Sequence, residues 1–121
     1  MKDGMKVVEK EGFTTNFTKV VTTSEKKFNA HHDYAVVNSK CGKVIETIHF
    51  QEGPIKENGV NGVCNEDLIL MVVDRLESFQ NSEYACEENA AAIECFMQGI
   101  SHLRERTNKR IARGVVGTSK I

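Results

Sequence analysis

The apolar pattern of this chain changes period near residue 52, and that change divides it into two kinds of secondary structure. Before it, the segments Lys6–Lys10, Phe13–Thr23, Tyr34–Asn38 and Val44–Gln51 are rich in Val, Ile, Thr and Phe, residues that suit a pleated, half-buried surface. Turn chemistry separates them at Glu11-Gly12, at Ser24–Lys27 and from Asn38 to Gly42. Connections this short favour an antiparallel meander. One sheet of that size needs something to cover its apolar face.

After residue 52 the spacing is helical. Residues 52–64 read as a loop, with the only proline, Pro54, and two Asn-Gly steps that favour left-handed turns. Asn65 reads as an N-cap, with Glu66 and Asp67 in the first turn. The first helix is predicted to run to about Phe79. Leu68, Ile69, Val72, Val73, Leu76 and Phe79 fill most of its circumference, which predicts a nearly buried helix. Gln80 to Ser82 form the turn, with Asn81 or Ser82 capping a second helix that reaches Arg113 and stops at Gly114. At 1.5 Å per residue the two helices measure about 22 Å and about 45 Å. Folded back as a hairpin, the second overhangs the first from about Gly99, yet it still carries Ile100, Leu103 and Ile111. Those residues call for cover from the sheet or from a second chain, the second chain being the expectation for part of the overhang.

The expected fold is α+β: an N-terminal antiparallel β-sheet packed with a C-terminal helical hairpin having one long helix. A chain of 121 residues fits a single domain, here a β-rich part (1–51), a loop (52–64), the hairpin (65–114) and a tail (115–121). The net charge of −1 offers no bulk attraction to a nucleic-acid polymer or a membrane. No apolar run approaches the roughly 18 residues of a spanning helix, and Met1 to Met5 lack the apolar core of a signal peptide. The expected location is therefore cytosolic. Cys41, Cys64, Cys86 and Cys95 form no Cys-x-x-Cys pair, and in the cytosol they are expected as free thiols.

Arg106, Arg110 and Arg113 follow i, i+4, i+7 spacing and share one helix face. Guanidinium groups in line suit phosphate or pyrophosphate, because each fork donates paired hydrogen bonds. The same residues also complement the macrodipole at a helix C-terminus. Asn89 lies on the same stripe, and an asparagine amide can bond bidentately to an adenine edge. Phe79 can stack on a base or serve in the core. Asn89 and Arg106 are separated by about 25 Å along one helix, too far for one small nucleotide to touch both in one chain. Two long helices crossing antiparallel near Gly99 on a two-fold axis would bring them together, and twice per dimer. Catalysis has less support. His31-His32-Asp33 lack the further spaced ligands of a metal set, and no Gly-rich phosphate loop follows a strand.

The words Phe50-Gln51-Glu52-Gly53-Pro54-Ile55-Lys56-Glu57, Gly59-Val60-Asn61-Gly62-Val63 and Asn65-Glu66-Asp67-Leu68 carry a further signal. They are followed by Asp74-Arg75-Leu76, Phe79-Gln80, Glu88-Asn89, Arg106-Thr107, Arg110 and Arg113-Gly114-Val115. This run resembles the phage anti-Thoeris sponge proteins, whose helical-hairpin domain is shared with anti-CBASS sponges. The resemblance implies a non-enzymatic protein of the host bacterial cytoplasm that needs no cofactor. Its ligand would be a cyclic ADP-ribose isomer, held without cleavage. It implies Phe79 for base stacking, Asn89 for the base edge, Arg106 and Arg110 for the pyrophosphate region, and Arg113 and Lys56 as further contacts. The expected assembly is a homodimer or a trimer of dimers. The alternatives are a sponge for CBASS cyclic di- or trinucleotides, a phosphodiesterase that degrades the signal, and a dimeric nucleic-acid-binding regulator.

Overall fold

A computed structural model describes residues 5–13 and 16–121. The chain forms two compact units, Met1–Val63 and Cys64–Ile121. Their boundary falls at the end of the segment expected as a loop.

The first unit is the expected antiparallel meander. Strands β1 (Met5–Val8), β2 (Thr18–Thr23), β3 (Asp33–Asn38) and β4 (Val44–His49) lie side by side in sequence order. The strand expected from Phe13 begins only at Thr18, and residues 14 and 15 lie outside the described residues. Register places Val7 beside Val21, Val21 beside Ala35, and Ala35 beside Thr47. Residues two apart share a face, so Val21, Ala35 and Val37 make one buried cluster, with Met5 and Val7 packed against it. Thr22 points the other way and is fully buried. Its hydroxyl donates to the Asp33 carbonyl at 2.8 Å, which satisfies a polar group cut off from water.

The turns differ in how visible they are in sequence. At the β3–β4 turn the Asn38 side chain accepts from the N–H groups of Lys40 and Cys41, the expected asparagine turn. The β2–β3 connection turns not at Ser24–Lys27 but at Phe28-Asn29, where Lys27 and Ala30 exchange both main-chain bonds. Both central residues have positive φ, 48° and 71°, as a two-residue hairpin of matching twist requires. A phenylalanine at such a position carries no turn signal.

The segment expected as an irregular loop is built instead as a pinned structure around one helical turn, α1 (Ile55–Asn58). Pro54, at φ −62°, leads into it without an N–H to satisfy, and Gly59, at φ 70°, ends it. The Asn61 amide brackets Glu52, accepting from its N–H and donating to its carbonyl, each at 2.8 Å. Gln51 donates to the carbonyls of Gly53 and Gly59 and accepts from the Asn61 N–H. Gly62 lies so close to the end of β4 that an added Cβ would sit 2.5 Å from the Phe50 carbonyl carbon and 2.6 Å from the His49 oxygen.

The second unit is the helical hairpin of α2 (Asn65–Gln80) and α3 (Glu87–Ala112), packed against each other. Its N-cap is Cys64, one residue before the expected Asn65, because the Asp67 carboxylate reaches back to accept the Cys64 N–H at 2.8 Å. Burial, with the negative charges of Asp67 and Glu66, holds the Cys64 thiol above its ordinary range. The second helix starts at Glu87, not near Ser82, so residues 81–86 form a longer turn than expected. At its far end Gly114, at φ 70°, follows the C-cap Arg113 as expected. The mismatch of lengths persists, 26 residues against 16. The expectation of a nearly buried first helix does not hold within one chain. Only Val73 is buried, while Leu70, Met71 and Val72 on α2 and Phe96, Met97 and Ile111 on α3 stand exposed. Two helices cover each other along one stripe only, and this hairpin carries more apolar surface than one stripe.

Candidate functional site

The turn end of the hairpin collects two of the expected site residues. Phe79 lies in the last turn of α2 and Asn89 in the first turn of α3. The later start of α3 moves Asn89 from the interior of a helix to its beginning. Between them Gln80 closes the turn: its amide donates to the Cys86 carbonyl at 3.0 Å and accepts from the Cys86 N–H at 2.9 Å. Ser82 adds a bond from its hydroxyl to the Phe79 carbonyl at 2.6 Å. Both main-chain ends that carry the candidate side chains are thus held.

The Phe79 ring is not a core residue. It is 37% exposed, and the Arg75 guanidinium lies 5.3 Å from its centroid. A cation on one face of an aromatic ring leaves the other for stacking. Arg75 precedes Phe79 by four residues, so helical spacing could have revealed the pair. Asn89 is half-buried, and its amide forms no hydrogen bond among the described residues.

The arginine stripe at the other end of α3 is divided by the fold. Arg106 is exposed, with no ion pair or hydrogen bond from its guanidinium among the described residues. Lys109 pairs with Glu105 at 3.3 Å, a surface bridge of small energetic weight. Arg110 is engaged. Its two terminal nitrogens donate to the main-chain carbonyls of Val115, Thr118, Lys120 and Ile121, and Arg113 donates to the Ile121 carbonyl at 2.8 Å. The sequence contains no signal for this, because the acceptors are main-chain atoms. Lys56 is exposed on α1, in the other unit.

One chain therefore sets the residues expected to meet a base, Phe79 and Asn89, about 25 Å along α3 from Arg106, the residue expected to meet a phosphate. A cavity of about 580 Å³ lies elsewhere, on the buried face of the sheet. Its lining includes Val21, Ala35, Val37 and Val44, with Asp33 and His49 among its polar groups, and among the described residues it holds no arginine or lysine. A pyrophosphate has no counter-charge there. The His31 and His32 rings lie against main-chain carbonyls of the β2–β3 connection, those of Glu25 and Lys27. Among the described residues no group of three or more His, Cys, Asp or Glu could hold a metal ion, and no helix is long and apolar enough to cross a membrane.

Comparison with known proteins bears on the same residues. Residues 43–99 match the Acb2/Tad1 hairpin domain family, a span that contains Lys56, Phe79 and Asn89. The chain is also 40% identical to Thoeris anti-defense 1 of Bacillus phage SBSphiJ7 over 140 aligned positions, which cover 94% of this chain and 98% of that protein.

Proposed function

This chain belongs to the anti-Thoeris family built on the Acb2/Tad1 hairpin domain, and from that premise we propose that it acts as a phage anti-Thoeris protein that binds a cyclic ADP-ribose isomer and sequesters it uncleaved in the host cytoplasm. The observation that carries this reading is the pairing of an open Phe79 ring and an unbonded Asn89 amide at one end of the hairpin with an unpartnered Arg106 toward the other. A base needs a flat apolar face and an amide edge. A pyrophosphate needs a free guanidinium fork. The two halves of the ligand have their counterparts in the chain.

Their separation is resolved by a homodimer. Leu70, Met71, Phe96 and Met97 are exposed apolar side chains on the hairpin, and nothing lies within 4 Å of where a Cβ on Gly99 would project. A partner's α3 crossing antiparallel there sets its residue 109 opposite Asn89. Each of two equivalent pockets then takes Phe79 and Asn89 from one protomer and Arg106 from the other. Arg110, Arg113 and Lys56 serve as further contacts, and three dimers assemble into a trimer of dimers. A sponge must hold its ligand tightly; nanomolar affinity corresponds to about −12 kcal/mol, within reach of a stacked base and a clamped pyrophosphate in a closed pocket.

The test is titration calorimetry of the purified chain with a cyclic ADP-ribose isomer, followed by heat denaturation and mass spectrometry of the released ligand. One unchanged ligand per pocket is the expected result. Product accumulating beyond the protein concentration would establish a phosphodiesterase. Binding of cyclic di- or trinucleotides alone would establish a sponge for the other immune signal.

A further inference from the structure

We infer that residues 115–121 form an exchangeable latch on Arg110: in the free chain their main-chain carbonyls occupy its guanidinium, and a phosphate-bearing ligand takes that guanidinium and frees the outer residues of the tail. The inference rests on the reading that this end of α3 receives a pyrophosphate.

The first argument is saturation. The two terminal nitrogens of an arginine carry four N–H groups, and the fifth is on Nε. Here Nη1 meets Lys120 O at 2.7 Å and Ile121 O at 3.4 Å, while Nη2 meets Val115 O and Thr118 O at 3.1 Å each. With the tail in place no pair of parallel N–H groups is left to fork onto a phosphate. Arg110 holds either its own tail or a ligand.

The second argument is that the tail is held unequally along its length. The inner part is anchored: Val115 is buried, its N–H donates to the Arg110 carbonyl at 3.0 Å, and the Thr118 hydroxyl donates to the Val115 carbonyl. The outer part has no apolar anchor. The Ile121 side chain is fully exposed, and Lys120 and Ile121 are held by Arg110, by Arg113 and by a long 3.4 Å bond from the Lys120 N–H to the Thr118 hydroxyl. Carbonyls released there are exposed to water, which satisfies them. A pyrophosphate, with one negative charge on each diester phosphate, adds charge that the Lys120 carbonyl lacks and takes two parallel guanidinium bonds at once. The exchange therefore favours the ligand at the outer two acceptors and leaves the inner turn in place.

The third argument is placement. Arg106 stands one turn before Arg110 on the same face, about 6 Å along the axis, and is unpartnered. A phosphate first captured by the open arginine is delivered beside the latched one.

The test is the backbone amide order of residues 119–121 in the full chain, read as heteronuclear NOE, without ligand and with either a cyclic ADP-ribose isomer or millimolar inorganic pyrophosphate. The expected result is a fall in order of those amides on ligand addition, with Val115 unchanged. Arg110→Met should give the same fall without ligand. Deleting residues 120–121, which leaves Arg110 itself intact, should speed ligand association by about tenfold, the scale of one hydrogen bond removed. Unchanged or increased order on binding, or slower association after the deletion, overturns the latch. If the isomer fails to bind while pyrophosphate still frees the tail, the proposed ligand is wrong and the latch stands. If the isomer binds and the tail does not respond, the reverse holds.

Discussion

Gln80 and Cys86 face each other across the hairpin turn, and the glutamine amide uses both its donor and its acceptor on the cysteine's main chain, at 3.0 and 2.9 Å. This bracket sits between Phe79 and Asn89, the two residues proposed to present a base site. It replaces the helix that would otherwise have continued from Ser82.

Replacing Gln80 with Leu keeps the bulk and removes both bonds. The expected loss is about 1–3 kcal/mol of unfolding free energy, from two hydrogen bonds at about 0.5–1.5 kcal/mol each. Urea denaturation followed by circular dichroism measures it. Ligand affinity should fall as well, because the spacing of Phe79 and Asn89 loosens. An unchanged midpoint would show that the turn is held by its other bonds.

Phe79→Ala, Asn89→Ala and Arg106→Ala are each expected to weaken binding of the cyclic ADP-ribose isomer while the circular dichroism spectrum stays native. Loss of stacking should cost about 1–3 kcal/mol. Loss of the fork to phosphate should cost at least about as much, because the ligand charge stays partly desolvated. Arg106→Lys should recover only part of it, as an ammonium lacks the planar fork. Calorimetry on the four variants, with full rescue by lysine as the adverse outcome, decides the role of Arg106.

Mixing tests the shared pocket. Asn89→Ala chains combined with Arg106→Ala chains are expected to form heterodimers in which one site is doubly damaged and the other intact. Tight binding should therefore return at about half of the heterodimer sites, measurable as recovered stoichiometry. A pocket contained within one chain would recover nothing on mixing.

Gly62→Ala should destabilise the first unit, because the new Cβ meets main-chain atoms of His49 and Phe50 at 2.6 and 2.5 Å, and a strand end cannot yield as a flexible side chain can. About 1–3 kcal/mol is expected, read as a lowered Tm. Gly59→Ala meets no atom within 4 Å and isolates the cost of its positive φ. Equal effects of the two would exclude the contact as the cause.

The elements of this fold were largely legible because their signals are local. Enrichment in Val, Ile, Thr and Phe placed β2 and β3, the asparagine turn at Asn38 placed β4, and Gly114 placed the end of α3. The same locality explains the misses. Phe28-Asn29 turns the chain with a residue that carries no turn signal. Cys64 caps α2 because Asp67 reaches back to its N–H, and α3 starts late because Gln80 bonds six residues ahead.

The candidate site divides along the same line. Residue type and helical spacing by themselves determined that Phe79, Asn89, Arg106, Arg110 and Arg113 lie on a hairpin, and that one helix is too long for Asn89 and Arg106 to meet in one chain. Side-chain chemistry and a 1.5 Å rise are sufficient for that. Only the tertiary structure decided which arginine is open. Arg106 and Arg110 are the same residue type on the same face, one turn apart. Yet the tail bends at Gly114 and Gly117 and returns its carbonyls to Arg110 alone of the two. Main-chain acceptors are present at every position of a sequence, so their convergence on one guanidinium is set by the path of the backbone in space.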